Sequence, residues 1–346
     1  MVVTRKINHS GIIGQTSSEV NSSVNVEILR EVSSTGKERP WVKHKRDSKR
    51  LAKLYAAAND DAFLISDKRL QALESCGDYL EFVNYSDGTK KFRRSNFCKL
   101  RLCPMCQWRR SLKLSWRLYQ AMEKSKDKCR FLFVTFTQKN CAGADLRDEL
   151  IRMSKAFSSM LRRKPLNGLV VGSCRTFELT INLRDMTYHP HIHAVLAVKP
   201  SYFTGRYYLK QSRWRELWQG AMKLDYLPQV SVKAVDADVA FEAAKYETKG
   251  LSLLDKLADI RQSVEVLTTV HKALYHKRLV SFTGFFKAIS FDDLNDIEGD
   301  SELNVAEVAE GVEEIGYTIY RWTPKAGVYV LSERFDSGVK KYCSAG

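Results

Sequence analysis

The chain has 346 residues, of which 44% are hydrophobic, and a formal charge of +16. This is ordinary for a folded protein with one large domain or two modest ones, each with its own core. No run approaches the ~20 apolar residues of a membrane helix, and Met1–Val20 lacks the apolar centre of a secretory signal, so a cytoplasmic protein without a membrane partner is expected.

In chain order, residues 1–36 are rich in Ser, Thr, Asn and Gly and predict a flexible arm. Residues 37–53 hold eight Lys and Arg against Glu38 and Asp47. The spacing of Leu51, Leu54, Tyr55, Ala58, Phe63, Leu64 and Leu70 predicts helical pieces over 46–72. Tyr85–Gly88 is a turn signal. Trp108–Glu123 reads as a basic amphipathic helix with Leu112, Leu114, Trp116, Leu118 and Met122 among its cations. Arg130–Thr137 is strand-like, and Leu146–Leu161 repeats apolar residues at helical spacing. Arg175–Asn182 and His191–Val198 alternate as strands. A helix over 211–222 and a strand over 229–235 follow, then a helix capped by Asp236 or Asp238. Residues 256–290 read mainly as helix, ending in a Ser281–Gly284 turn. Asp292–Glu314 carries ten acidic residues and no basic one. Tyr317–Ser332 predicts a hairpin around Pro324–Gly327.

Strands separated by helices and long loops imply an α+β fold with a central sheet flanked by helices. The expected organisation is an arm (1–36), a basic and cysteine-rich region for zinc and DNA (37–125), a catalytic domain (126–255), and a C-terminal helical region with an acidic segment and hairpin (256–346). The positive surplus favours a polyanionic partner, because phosphates neutralised by Lys and Arg release counterions.

Three groups of residues carry chemistry. On a strand, residues two apart share a face. His191 and His193 of His189-Pro190-His191-Ile192-His193 therefore present two imidazoles together, ligands suited to a divalent metal. His189 is a further candidate unless Pro190 bends the chain, and Glu178 on a neighbouring strand offers a carboxylate. In Phe241–Lys249, helical spacing aligns Glu242, Tyr246 and Lys249, a carboxylate, a phenol and an ammonium within reach of one phosphate. Cys98, Cys103 and Cys106, with Cys76 as fourth ligand, suit tetrahedral Zn²⁺. Arg109, Arg110 and Lys113 lie beside this cluster in sequence and are expected, with the 43–53 stretch, to grip duplex DNA.

Together these motifs resemble those of plasmid rolling-circle replication initiators, a branch of the HUH endonucleases. Phe133–Asn140 looks like the family's first motif, His189–His193 its second, and Lys245–Lys249 its third. The cysteine segment, Trp214, Trp218 and Lys277–Leu279 extend the similarity from about Cys76 to Gly284. The resemblance implies an HUH-type central antiparallel sheet, with a zinc-binding element before it and a helical extension after it. It implies Mg²⁺ or Mn²⁺ held by His191 and His193, attack by Tyr246 on an unpaired strand, and a 5′-phosphotyrosyl link. The 3′-OH released would prime a host polymerase, with a host helicase as further partner and double-strand origin DNA as the recognised site. Lys249 would balance charge, and Glu242, one turn before the tyrosine, would activate water for the closing cleavage. A conjugative relaxase or HUH transposase is the alternative enzyme, and a non-catalytic zinc-bearing DNA-binding regulator the alternative from another class.

Overall fold

The computed structural model describes residues 27–31, 38–240, 260–289 and 311–336. These form six α-helices and nine strands: α1 (Trp41–Ala62), α2 (Asp67–Glu74), β1 (Tyr79–Tyr85), β2 (Lys90–Ser95), α3 (Pro104–Glu123), β3 (Arg130–Phe136), α4 (Leu146–Leu161), β4 (Val170–Asn182), β5 (Thr187–Val198), α5 (Gln211–Met222), β6 (Val230–Val235), α6 (Ile260–Leu274), β7 (Val280–Gly284), β8 (Glu314–Thr323) and β9 (Val328–Asp336). No helix among the described residues is long and apolar enough to cross a membrane.

Alternation along β3, β4 and β5 builds a five-stranded antiparallel sheet in the order β6-β3-β5-β4-β7. One face carries Leu132, Val134, Phe136, Phe177, Ile192 and Leu196 into the main core, where α4, α5 and α6 cover them. α4 contributes Leu146, Leu150, Met153 and Phe157, the residues whose helical spacing is visible in the sequence. From α5, Trp214 and Trp218 pack on Phe136, and the Trp218 indole donates to the Thr137 carbonyl at 2.8 Å. The opposite face carries Phe131, Cys174, Val195 and Ala197 into a second cluster with Leu114, Leu118 and Met122 of α3. By alternation this is also the face of His189, His191 and His193.

The second sheet has the order β2-β1-β8-β9 and is also antiparallel. The turn at 85–88 joins β1 to β2, with the Gly88 N–H donating to the Tyr85 carbonyl. The hairpin β8–β9 is the one expected near the C-terminus, but β8 pairs with the whole of β1 over Glu314–Arg321. Helix α6 covers the five-stranded sheet, and the hairpin completes the four-stranded one.

Two further expectations change. Ser281–Gly284 is not a turn but part of edge strand β7, paired with Gly172–Arg175 of β4. Gly284 ends it at φ 60°, where a Cβ would come within 1.9 Å of the Val171 carbonyl oxygen, so the glycine reflects close backbone approach rather than a turn. The end of the expected flexible arm is docked. Ile28 bridges Val330, Leu29 is buried, and Glu27 accepts hydrogen bonds from the Tyr320 hydroxyl and Arg334, each at 2.7 Å. Residues 1–26 and 32–36 of that arm, and most of the acidic stretch, lie outside the described residues.

Candidate metal centres

The register of β4 against β5 sets Glu178 opposite His191, and the register of β3 against β5 sets Thr135 opposite His193. The Nε2 atoms of His191 and His193 both point at one carboxylate oxygen of Glu178, at 3.0 and 2.7 Å. All three side chains are buried or nearly so. Burial alone would raise the Glu178 pKa, but hydrogen bonds and charge from His191 and His193 outweigh it and hold the carboxyl at about 2. An anionic carboxylate facing two imidazole nitrogens is a donor set that could hold a metal ion. The spacing fits as well: ligands at ~2.1 Å on adjacent octahedral positions lie about 3 Å apart.

Thr135 completes the arrangement. Its hydroxyl lies 3.0 Å from Nδ1 of His193, the nitrogen that faces away from Glu178. The Phe133 ring stacks on the same imidazole at 5.6 Å, so His193 is fixed in plane and rotation. In sequence Thr135 is one residue of the strand-like Arg130–Thr137 run; the signal for its role is the pairing of that strand with the histidine strand.

His189 lies further along the same face, its ring 5.5 Å from that of His191, and is not among the converging ligand atoms. Its Nε2 is buried without a hydrogen-bond partner, and burial followed by the neighbouring His191 lowers its pKa. Pro190 does not bend the strand. It sits beyond Ile192, the last β5 residue paired with β3, and is itself paired only with Leu179 of β4, so a missing N–H costs little.

The second centre joins four segments. Cys76 follows α2, Cys98 follows β2, Cys103 precedes α3, and Cys106 lies in its first turn behind Pro104. Sulfur separations are 3.6 Å for Cys76–Cys106, Cys98–Cys106 and Cys76–Cys103. Disulfide sulfurs would be ~2.05 Å apart, whereas four thiolates at ~2.3 Å from a tetrahedral Zn²⁺ lie about 3.8 Å from one another. Burial opposes ionisation of Cys103, but hydrogen bonds from Cys106, Cys76, Cys98 and Ser48 hold its pKa well below the usual thiol value. Hydrogen bonds with Cys103, Cys106 and Cys98 push that of Cys76 up. The four sulfurs form a ligand set that could hold a metal ion.

The expected DNA-gripping residues separate. Arg109 and Lys113 are 2% and 8% exposed and face inward from α3. The Arg109 guanidinium lies 4.5 Å from the Phe92 ring and 5.4 Å from that of Trp41, and burial lowers its pKa to about 9. Neither side chain is presented to a phosphate, because α3 is covered on the side where both project. Arg110 is half-buried and donates to the carbonyls of Lys99 and Leu100. In the basic stretch, Lys45 is fully buried, bonded to the Cys76 carbonyl at 2.7 Å and to Asp78 at 2.5 Å, while Lys43, Arg46, Arg50 and Lys53 are exposed. Glu242, Tyr246 and Lys249 lie outside the described residues. The last described residues before them, Ala237 and Ala240, pack in the second cluster with Cys174 and Val195, on the imidazole face.

A family model described as "Replication protein" matches residues 89–330, which include both centres except Cys76. A "Protein rep" of Lentilactobacillus hilgardii is 34% identical over 308 residues, covering 83% of this chain and 95% of that protein. A "Protein rep" of Bacillus amyloliquefaciens is 31% identical over 340 residues, covering 90% and 99%. One from Streptococcus pneumoniae is 34% identical over 274 residues, covering 76% and 82%. No solved structure matches the chain.

Proposed function

The chain belongs to the replication-protein family, and from that membership we propose that it is a plasmid rolling-circle initiator of the single-tyrosine HUH type, which nicks an unpaired strand of its origin. The observation that carries this reading is the convergence of His191 and His193 on one oxygen of Glu178. Two neutral imidazoles and one carboxylate suit Mg²⁺ or Mn²⁺. When bound, such an ion polarises a phosphodiester and offsets the charge of an in-line displacement.

Tyr246 is the nucleophile. Its Oη forms a bond to phosphorus while the bond to the 3′ oxygen breaks, and the phenolic proton leaves as the departing oxygen gains one. A phenol has a pKa near 10, so ionising it at pH 7 costs about 4 kcal/mol. Lys249, three residues on in sequence, opposes that cost by stabilising the developing phenolate. The products are a 5′-phosphotyrosyl link and a 3′-OH that a host polymerase extends behind a host helicase. Glu242, four residues before Tyr246 in sequence, activates water for the terminating cleavage. Ala237 and Ala240, packed on the imidazole face, support the placing of this segment's chemistry beside Glu178. The cysteine centre holds structural Zn²⁺ and orders the element preceding the nicking domain.

Incubation with an unpaired origin oligonucleotide and Mn²⁺, followed by denaturing electrophoresis, tests the reading. A covalent adduct is expected from the parent protein and not from Tyr246→Phe. Sequence-specific binding with no adduct under any divalent metal would make the protein a non-catalytic regulator instead.

A further inference from the structure

A cleft of about 1090 Å³ lies between the cysteine-rich element and the end of α6. It exceeds the roughly 300–1,000 Å³ of a small-molecule pocket. Arg69, Arg147, Lys272 and Arg278 enter it from the helical side, and Lys99, Arg101 and Arg110 from the side of the cysteines. Among the described residues, no aspartate or glutamate lines it. Several of these cations bond main-chain carbonyls. Arg147 donates to those of Lys272 and Tyr275 at 3.0 and 2.9 Å, and Arg110 to that of Lys99 at 2.6 Å. A carbonyl orients a guanidinium without neutralising it, so Arg110 and Arg147 keep their charge.

Aromatic rings stand in the same cleft. Phe63 is 71% and Tyr275 56% exposed, and the Tyr275 ring stacks against His271. Large apolar rings held in water beside cations supply both elements that hold unpaired nucleic acid, charge for the backbone and flat faces for the bases.

Backbone conformation points to the same place. Among the described residues five non-glycine positions have positive φ, and three of them line this cleft: Phe63 (37°), Lys99 (58°) and His276 (54°). Left-handed backbone disfavours a side chain, and at a helix C-cap such as Phe63 glycine or asparagine is usual. Unfavourable conformations of this kind gather where a ligand is held. Here one of them turns a phenyl ring into solvent.

We propose that this cleft is a second binding site for unpaired DNA, taking the strand that flanks the nick site. Its bases stack on Phe63 and Tyr275 and its phosphates lie on Arg69 and Lys272. The cleft is lined at one end by Leu279 and Val280. Val280 pairs with Thr176, and the Leu279 carbonyl accepts the Phe177 N–H at 3.0 Å, so the cleft meets β4 within two residues of Glu178. That the strand comes from the nicked origin rests on the nickase reading; binding of unpaired DNA in the cleft does not.

The test is fluorescence anisotropy with labelled oligo(dT), which carries no origin sequence, without added divalent metal, and with a mixed-sequence duplex for comparison. Phe63→Ala with Tyr275→Ala should weaken oligo(dT) binding about five-fold or more. Arg69→Gln and Lys272→Gln, both at exposed positions, should each lower the slope of log affinity against log salt by about 0.7. His191→Ala should bind oligo(dT) as the parent does, which separates this site from the proposed metal centre. Parental affinity and slope in all the cleft variants would overturn the proposal, as would an equal loss for the duplex. Failure of the Tyr246 adduct experiment would leave these measurements unaffected.

Discussion

Replacing Thr135 by valine removes one hydroxyl and keeps the volume of the side chain. That hydroxyl lies 3.0 Å from Nδ1 of His193, whose Nε2 lies 2.7 Å from Glu178. For Nε2 to offer a lone pair to a cation, the ring proton must sit on Nδ1 and be donated to Thr135. Valine cannot accept it, and a buried N–H without a partner costs about 1–3 kcal/mol. At about 1.4 kcal/mol per factor of ten, Mn²⁺ binding should weaken by roughly five-fold to a hundred-fold, the range seen when a partner of a metal-ligating histidine is removed. Stability without metal should change less, because His193 can then carry its proton on Nε2 and donate it to Glu178. Calorimetric titration of Mn²⁺ into the parent, Thr135→Val and Thr135→Ser measures this. Serine keeps the hydroxyl and should bind close to the parent. Unchanged affinity in Thr135→Val would refute the reasoning, since Nδ1 would then play no part in presenting Nε2.

In Cys103→Ser, bound Zn²⁺ measured by elemental analysis should fall from about one per chain towards none, with a melting temperature roughly 10 °C lower; full zinc content in the variant would remove Cys103 from the ligand set. Arg109→Ala should cost roughly 2–4 kcal/mol in denaturant unfolding through lost packing and cation–π contact, while leaving the salt dependence of DNA binding unchanged; a flattened slope at parental stability would restore a surface role. Burial, followed by Lys43, holds the His44 pKa down at about 4 against an opposing pull from Cys103. The unfolded chain therefore takes up this proton first as pH falls. The His44 contribution is intact above about pH 6.5 and is lost towards pH 4, by at most about 3 kcal/mol. Unfolding measured from pH 7 to 4 should fall less steeply in His44→Phe, and parallel curves would show that His44 does not titrate as described.

Legibility followed the range of the interactions concerned. α4 and α5 begin and end where their apolar spacing does, because each buries one continuous stripe. The facing of His191, His193 and Glu178 is visible in strand alternation plus one pairing. Thr135 was not singled out because its partner is 58 residues away and joined to it only by register. β7 read as a turn because a short edge strand ending in glycine has turn composition. Arg109 and Lys113 read as surface because charge usually means exposure, yet Phe92 and Trp41 make an aromatic seat for a guanidinium. The pairing of β1 with β8 leaves no local trace in either segment, so the hairpin was foreseen but not its destination.

That pairing also sets an order of events during synthesis. β1 lies between β2 and β8, and its Leu80 and Phe82 are fully buried. Until residues 314–336 have left the ribosome, β1 is an open edge that bears core side chains. A nascent or prematurely terminated chain has the cysteines, both histidines and the tyrosine, but not the strand that closes the element around Cys76. Such chains expose a template for pairing with one another. Synthesis of β8 is thus the step that separates a chain able to close this element from one that leaves its edge open.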